Sequence, residues 1–277
     1  MTRAARASAL LLVAALGGAC SRERPAPGAS AAASASSSPA RPPARRTPPS
    51  LDVPEIAGAE LRFDGVLDEA AWSRAARTGA FVHAGDGSDA SGLPVGGSAR
   101  LFWDEAHLYV AFEVRDSTLR GGFPEEAIDP HLWERDTVEL MIDPDGDGDG
   151  RDYYELQIGP QGLVFDSRFD DYNRPRGGPS GPFGHQGWSS KVERGVKLAG
   201  TLDDDSDVDE GYVVEARIPW SAFDKARHSP PRAGDTWRIN LYAMQDNGGV
   251  AWSPILGEGN FHRASRFGRV RFVSGAR

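Results

Sequence analysis

Short runs of alternating apolar and polar residues recur along the chain from Leu61 onward, separated by clusters of glycine, proline and aspartate. Successive side chains of a β-strand point to opposite faces of its sheet, so this period indicates strands with one buried face. Helical periodicity is sustained only over Leu67 to Ala76, where Asp68 and Glu69 stand at the start of a short segment. The pattern therefore predicts an all-β fold, an antiparallel β-sandwich of the immunoglobulin-like or jelly-roll-like kind, with one short helix near the N-terminal end of the domain.

The predicted strands include two clear hairpins and several later runs. They span Ala99 to Trp103, Leu108 to Val114, Val138 to Ile142, Tyr153 to Ile158, Gly162 to Asp166, Tyr212 to Ile218, Trp237 to Met244 and Gly268 to Val273. By alternation, Leu140 faces one side of its strand while Glu139 faces the other. One sheet is thus expected to carry a polar face rich in Glu, Gln, Arg and Asn. The alternative is that this face is only the solvent side of the sandwich.

The first twenty residues have the pattern of an export signal. Arg3 and Arg6 precede an apolar run, which is too short to span a membrane, and small residues lead to Cys20, the single cysteine of the chain. The segment 16–20 resembles a lipobox with its leucine one residue early. We therefore expect residues 1–20 to be a lipoprotein signal peptide, Cys20 to be acylated, and the protein to be exported and lipid-anchored in the cell envelope, at the outer membrane or in the periplasm. The alternative is an ordinary secreted protein.

Composition divides the remainder into a tether and a domain. Residues 21–50 are almost entirely Ala, Ser, Pro and Arg, which predicts a disordered tether. Residues 51–277 are enough for one large β-domain with its own core. The formal net charge of -9 argues against a nucleic-acid partner, because duplex binding needs a basic face. Membrane contact is expected only through the lipid anchor, and the oligomeric state is left open.

Motifs of the common catalytic sites are absent from the sequence. It contains no HExxH, no GxSxG and no phosphate loop, and its six histidines have no ligand-like spacing. No catalytic residue is therefore predicted. Two alternatives remain open at this point. Glu139 and Glu155 could form a carboxylate pair for glycoside cleavage, and Met141, Met244 or a histidine could hold a haem in a redox sandwich.

An acidic glycine-rich loop, Asp143 to Asp152, joins the predicted strands Val138 to Ile142 and Tyr153 to Ile158. Carboxylates at alternate positions, with glycines that permit tight wrapping, suit a hard cation such as calcium. The loop falls short of an EF-hand, because Tyr154 stands where the bidentate glutamate would be. A structural calcium ion is expected here, and the alternative is a solvated acidic turn. The expected metal ligands are Asp143, Asp145, Asp147, Asp149 and Asp152.

Trp133 is the tryptophan that packing explains least, since it lies in a polar stretch just before a strand. An indole in that position suits stacking against the C–H face of a sugar. A set of ordered segments then resembles the family 9 carbohydrate-binding modules over nearly all of residues 58–273. These segments are DGVLDEAAW (64–72), WDEAHLYVA (103–111), LWERDTVE (132–139), YYELQ (153–157), VEARIPW (214–220), GDTWRIN (234–240), WSP (252–254) and RFG (266–268).

The resemblance implies a non-catalytic β-sandwich that captures the ends of oligo- or polysaccharides between two aromatic rings, with structural calcium ions. Trp133 matches the first stacking ring, and Phe261 stands where the second is normally a tryptophan. Glu139 matches the acidic ligand contact, and Gln157 replaces a basic one. Such a module would support carbohydrate catabolism as an accessory to glycoside hydrolases. The expected binding residues are Trp133, Glu139, Glu155, Gln157, Asn240 and Phe261.

Overall fold

Two β-sheets pack face to face and enclose an apolar core. The computed structural model describes residues 47–171, 183–185, 187–257 and 259–275, all within one of the two units into which the chain divides, residues 43–277. The predicted signal peptide with Cys20, and residues 21–46 of the predicted tether, lie outside the described residues. Among the residues described, none of the helices has the combination of length and hydropathy that crossing a bilayer requires.

The elements are almost all strands, as the alternation predicted. In chain order the strands are β1 Ser50–Pro54, β2 Ala76–Arg77, β3 Val82–His83, β4 Val95–Trp103, β5 His107–Asp116, β6 Thr137–Asp143, β7 Arg151–Ile158, β8 Val164–Asp171, β9 Glu193–Ala199, β10 Gly211–Pro219, β11 Thr236–Gln245, β12 Gly248–Ala251 and β13 Gly268–Val273. Within the part of the chain that the structure describes, one α-helix, α1, spans Ala70–Arg74, and 3-10 turns span Leu132–Glu134, Trp220–Ala222 and Ala264–Arg266. The predicted β-sandwich with one short helix is confirmed.

The first sheet has the strand order β1-β13-β11-β6-β7-β8, with β12 added beside β11 and β3 beside β12. The second sheet has the order β2-β4-β5-β10-β9. Neighbouring strands are antiparallel, except that β1 runs parallel to β13. β1 begins at Ser50, one residue before the predicted start of the domain.

The core lies between the sheets, and alternation places the expected side chains in it. Val138, Leu140 and Ile142 of β6 are buried there, opposite Ile158, Leu156 and Tyr154 of β7. At about 25 cal/mol per Å² of apolar surface, such large side chains each contribute roughly 1.5–3 kcal/mol when fully buried. The inward-facing face of each sheet therefore supplies most of the stabilisation of this sandwich.

Helix α1 is shorter than the predicted segment, Leu67 to Ala76. Its backbone leaves the helical region at Ala75, whose ψ is 149°, because the chain then enters β2. Trp72 holds the helix on the second sheet: its ring is fully buried, and its Nε1–H donates to Oε1 of Glu215 at 2.7 Å. Packing on the sheet, rather than helical propensity, thus sets the length of this element.

Candidate functional site

A pocket of about 330 Å³ opens on the outer face of the first sheet, the face turned away from the core. This volume is at the lower end of the range for small-molecule sites, roughly 300–1,000 Å³. Its described lining consists of aromatic, amide, acidic and apolar side chains: Trp133, Glu139, Glu155, Gln157, Phe169, Phe183, Met244, Asn247, Asn260, Phe261 and His262. Five of the six predicted binding residues are therefore brought together in one cavity.

The floor of the pocket is made by Glu139 on β6 and by Glu155 and Gln157 on β7. Glu139 lies directly opposite Gln157 in the antiparallel ladder, so the three side chains share one face. The amide of Gln157 donates to Oε1 of Glu155 at 2.6 Å and to Oε2 of Glu139 at 3.2 Å. All three residues are at most 4% exposed, so this face is not the solvent side of the sandwich.

Two acceptor oxygens on this floor have no partner. They are Oε1 of Glu139 and Oε1 of Gln157. A buried polar atom without a hydrogen bond costs roughly 1–3 kcal/mol relative to a satisfied one. The Gln157 oxygen is an acceptor, and so is the Glu139 oxygen when it carries no proton, so a group that brings hydrogen-bond donors satisfies both.

Burial controls the protonation of the pocket. It raises the pKa of Glu155 to about 7, an effect opposed by the hydrogen bond from Gln157. Burial also raises the pKa of Glu139 well above its usual value, and the charge of Glu155 adds to the effect. Burial also lowers the pKa of His262 to about 4. His262 is therefore neutral at pH 7, and its Nε2, 3.8 Å from Oε2 of Glu155, does not make an ion pair there. No lysine or arginine is among the described lining residues.

Trp133 forms one wall of the pocket. It lies in the 3-10 turn Leu132–Glu134, which buried Leu132 anchors, and its own ring is partly exposed. The ring meets Phe165 edge-on, with centroids 5.1 Å apart, and stacks on His131 at 4.5 Å. The backbone carbonyl of Trp133 accepts from the backbone N–H of Asn247 at 2.9 Å. Contacts on several sides hold this indole in a single place.

Phe261 lies in the loop that leads to β13, and its ring is also partly exposed. Tyr242 of β11 fixes this loop, because its hydroxyl donates to the carbonyl of Phe261 at 3.0 Å and its ring lies 5.2 Å from the phenyl ring. Next to it, the Tyr153 hydroxyl lies 3.0 Å from Nδ1 of His262. The hydrogen bond and the ring contact from Tyr242 therefore hold Phe261 in place at the pocket.

Asn240 is not among the described residues that line the pocket. It is fully buried, and its side-chain amide donates to the carbonyl of Ser253 at 2.8 Å and accepts from the backbone N–H of Ser253 at 3.0 Å. The segment that follows β12 covers this part of the outer face. Asn240 therefore holds that segment on β11 and does not line the pocket.

The acidic loop brings three of its five predicted metal ligands together. Carboxylate oxygens of Asp143, Asp145 and Asp147 all lie within 4.8 Å of one another. Asp143 is buried and accepts from the backbone N–H of Gly146 and of Gly148, and burial raises its pKa to about 8, with Asp145 adding to the effect. Three converging carboxylates fit a hard cation.

The remaining two predicted metal ligands lie outside this group. Asp149 accepts from the backbone N–H of Arg151 at 2.8 Å, which closes a local turn. Asp152 has a left-handed φ of 48° at the start of β7. Neither residue is in the group of three carboxylates.

A family profile described as carbohydrate family 9 binding domain-like matches residues 63–275. The chain belongs to this family. Family 9 domains are binding domains without catalytic function, so the described domain is not an enzyme. The carboxylate pair Glu139 and Glu155 accordingly takes no catalytic role.

Relatives of this family 9 domain include parts of much longer proteins. The chain is 27% identical over 210 residues to the exoglucanase XynX of Acetivibrio thermocellus, a match that covers 72% of this chain and 16% of that protein. It thus spans only a small part of the curated relatives that it matches. A Bacteroides uniformis protein superposes with a TM-score of 0.60 at 22% identity, over 82% of this chain and all of that one. These likenesses to solved structures show the fold.

A family 9 module from Caldicellulosiruptor kristjanssonii, solved with cellotriose, superposes with a TM-score of 0.54 at 17% identity, over 82% of this chain and 95% of that one. A family 9 module from the same organism, solved with glucose, gives 0.53 at 16% identity, over 82% and 97%. The sandwich of the family 9 domain described above is the architecture that these structures share.

Sequence reasoning missed six lining residues of this family 9 domain. Phe169 lies on β8, which runs five residues beyond its predicted end, and Met244 shares the outer face of β11 with Tyr242. Alternation, carried further, would have found both. The others lie in loops and turns, where no periodicity indicates direction: Phe183, Asn247, Asn260 and His262.

Proposed function

We propose that this family 9 domain binds the ends of oligo- or polysaccharides in the pocket between Trp133 and Phe261. One observation carries the proposal: partly exposed aromatic rings stand beside a buried polar floor that holds unpartnered acceptors. Sugar rings present apolar C–H faces, which stack on aromatic rings, and hydroxyls, which donate hydrogen bonds. The aromatic rings of the pocket suit the C–H faces, and the acceptors of its floor suit the hydroxyls.

The floor favours a ligand rich in hydroxyl groups. A hydroxyl donates to Oε1 of Glu139 and another to Oε1 of Gln157, and each then satisfies an atom that the free protein leaves without a partner. Glu155 is engaged by Gln157, which keeps both side chains in place when the ligand enters. Preorganisation of this kind lowers the cost of binding.

Glucose and cello-oligosaccharides are the first ligands to test. The solved family 9 modules that share this fold contain cellotriose and glucose, and the relatives found by sequence include an exoglucanase and endo-1,4-β-xylanases. We propose that the domain serves carbohydrate catabolism, as a partner of glycoside hydrolases rather than as one of them. Xylo-oligosaccharides belong in the same panel.

Isothermal titration calorimetry on the purified chain tests the proposal. Trp133→Ala and Phe261→Ala should each weaken cellotriose binding about tenfold or more, because each removes a stacking surface worth roughly 1–3 kcal/mol. Phe63→Ala is the matched control, since Phe63 is a partly exposed phenylalanine that packs under Arg217, outside the pocket lining. Unchanged affinity in both pocket variants, or no binding across a panel of gluco- and xylo-oligosaccharides, would refute the assignment.

The N-terminal sequence supports a further proposal, on the cellular setting of the domain. We propose that the chain is exported, acylated at Cys20 and displayed from the cell envelope on the Pro-, Ala- and Ser-rich segment 21–50. We also propose that Asp143, Asp145 and Asp147 hold a structural calcium ion in the loop between β6 and β7. Such an ion would neutralise the charges that these three side chains bring together.

A further inference from the structure

The floor of the pocket holds two carboxylates close to each other. Oε2 of Glu139 and Oε1 of Glu155 both accept from one atom, the side-chain nitrogen of Gln157, at 3.2 and 2.6 Å. Both glutamates are buried, at 2% and 4% exposure, and both line the pocket. A ligand that enters the pocket therefore meets two acidic groups at once.

The second oxygen of each carboxylate accepts no hydrogen bond from the described part of the chain. Oε1 of Glu139 is buried and has no partner. Oε2 of Glu155 lies 3.8 Å from Nε2 of His262, which is beyond hydrogen-bonding distance. Each glutamate therefore uses one oxygen to hold Gln157 and leaves the other for a donor that a ligand brings.

No cationic side chain among the described residues balances these two carboxylates. Neither Glu139 nor Glu155 forms an ion pair with a described lysine or arginine, and His262 is neutral at pH 7 because burial lowers its pKa to about 4. Position 157, which reaches both carboxylates, carries an amide. Burial raises the pKa of both glutamates, as expected of buried carboxylates that lack a neighbouring cation.

An ammonium group supplies both the charge and the donors that this floor lacks. It carries three N–H donors and a positive charge, whereas a hydroxyl group has one donor and no charge. A ligand cation cancels buried negative charge, which the hydrogen bonds of a neutral ligand leave in place. The aromatic lining acts in the same direction, because the face of an aromatic ring attracts a cation. The described rings are those of Trp133, Phe169, Phe183 and Phe261.

We propose that this pocket selects amino sugars over neutral sugars of the same shape, with the ammonium group of the ligand between Glu139 and Glu155. This selectivity rests on the proposed sugar binding and names its ligand class, the ends of β-1,4-linked glucosamine chains. Such a chain differs from a cello-oligosaccharide only in carrying an ammonium group instead of the hydroxyl at carbon 2. Stacking on Trp133 and Phe261 is therefore available to both kinds of ligand.

Calorimetry on the full chain with a matched pair of ligands tests the proposal. The trimer of glucosamine should bind about tenfold or more tightly than cellotriose at pH 7. Physiological ionic strength should be used, because salt screens the long-range attraction between a cation and an acidic protein. The fully N-acetylated trimer carries no charge and should bind no more tightly than cellotriose.

Two variants locate the source of the preference. Glu139→Gln keeps the shape of the side chain but removes its charge, so it should lower the affinity ratio of the glucosamine trimer to cellotriose about fivefold or more. Glu134→Gln is the matched control, since Glu134 is an exposed acid in the same turn as Trp133 and is not among the described lining residues. It should leave the ratio unchanged.

The failure of this selectivity is distinguishable from the failure of sugar binding itself. If neither trimer binds, both are overturned. If cellotriose binds as tightly as the glucosamine trimer, sugar binding stands and the selection of amino sugars is overturned. A preference that survives Glu139→Gln and is lost in Glu134→Gln would also overturn it, because the ammonium group would then lie outside the pocket. The comparison of the two ligands on the wild type stands even if Glu139→Gln fails to fold.

Discussion

Gln157 links two buried carboxylates, Glu139 and Glu155, which lie diagonally across β6 and β7. Its amide donates both hydrogens, one to each glutamate, and its own oxygen has no hydrogen-bond partner. The resemblance to the family implied a basic side chain at this position, and a cation there would keep both glutamates charged. With an amide instead, burial dominates, and the pKa of each glutamate rises.

This arrangement predicts that Glu155 makes stability depend on pH. Its folded pKa of about 7 exceeds the unfolded value of about 4.5, so the folded state binds the proton more tightly between these values. The contribution of Glu155 to stability should therefore be full below about pH 4.5 and fall as the pH rises to about 7, by about 2–3 kcal/mol. Urea unfolding from pH 4.5 to 8 should show a smaller loss for Glu155→Gln than for the wild type.

The control for this prediction is Glu125→Gln, since Glu125 is exposed and is not among the described lining residues of the pocket. It should follow the wild-type pH dependence. A Glu155→Gln profile that is parallel to the wild type would show that the carboxylate of Glu155 is not held in a buried environment.

At the scale of elements, the hairpin between β11 and β12 connects the fold to the site. Gln245 pairs with Gly248, so Asp246 and Asn247 form a two-residue turn, and both have left-handed φ angles, 48° and 61°. This is the conformation of a type I′ turn, which favours Asn and Gly. The backbone N–H of Asn247 donates to the carbonyl of Trp133, so the turn also supports that wall of the pocket.

The turn predicts opposite outcomes for two substitutions at Asn247. Asn247→Gly should leave the free energy of unfolding within about 0.5 kcal/mol of the wild type, because glycine adopts positive φ without strain. Asn247→Val should lower it by about 1–2 kcal/mol, because a β-branched residue resists this region. Chemical denaturation measures both. Equal stability of the two variants would mean that position 247 does not adopt the left-handed conformation.

At the scale of the whole molecule, alternation predicts where strands lie but not which distant segments pair. Alternation located all eight predicted strands and placed Leu140 inward and Glu139 outward, because the period of a strand depends only on local geometry. It did not indicate β1, a five-residue strand whose partner lies 219 positions later in the chain, since pairing between distant segments leaves no local period. For the same reason it did not show that Ser253, held by Arg266, would cover Asn240 on the outer face.

The proposed display of the domain from the envelope makes a prediction for the full chain. Acylation at Cys20 should place the protein in the detergent-soluble membrane fraction, and Cys20→Ser should release it into the soluble fraction, because the thiol is the acceptor of the lipid. Labelling with a clickable palmitate analogue should mark only the wild type. A wild-type protein that is soluble and unlabelled would favour the alternative of an ordinary secreted protein.

The parallel pairing of β1 with β13 affects the resistance of the domain to mechanical force. Force that enters through residue 50 along β1 would load the ladder from Ser50 to Pro54 in shear, so that its hydrogen bonds share the load instead of opening one after another. Val53, which is fully buried and accepts at its carbonyl from the Trp103 indole, further resists sliding. The proposed tether, residues 21–50, would transmit any pull to this edge of the domain, where the shared load resists opening.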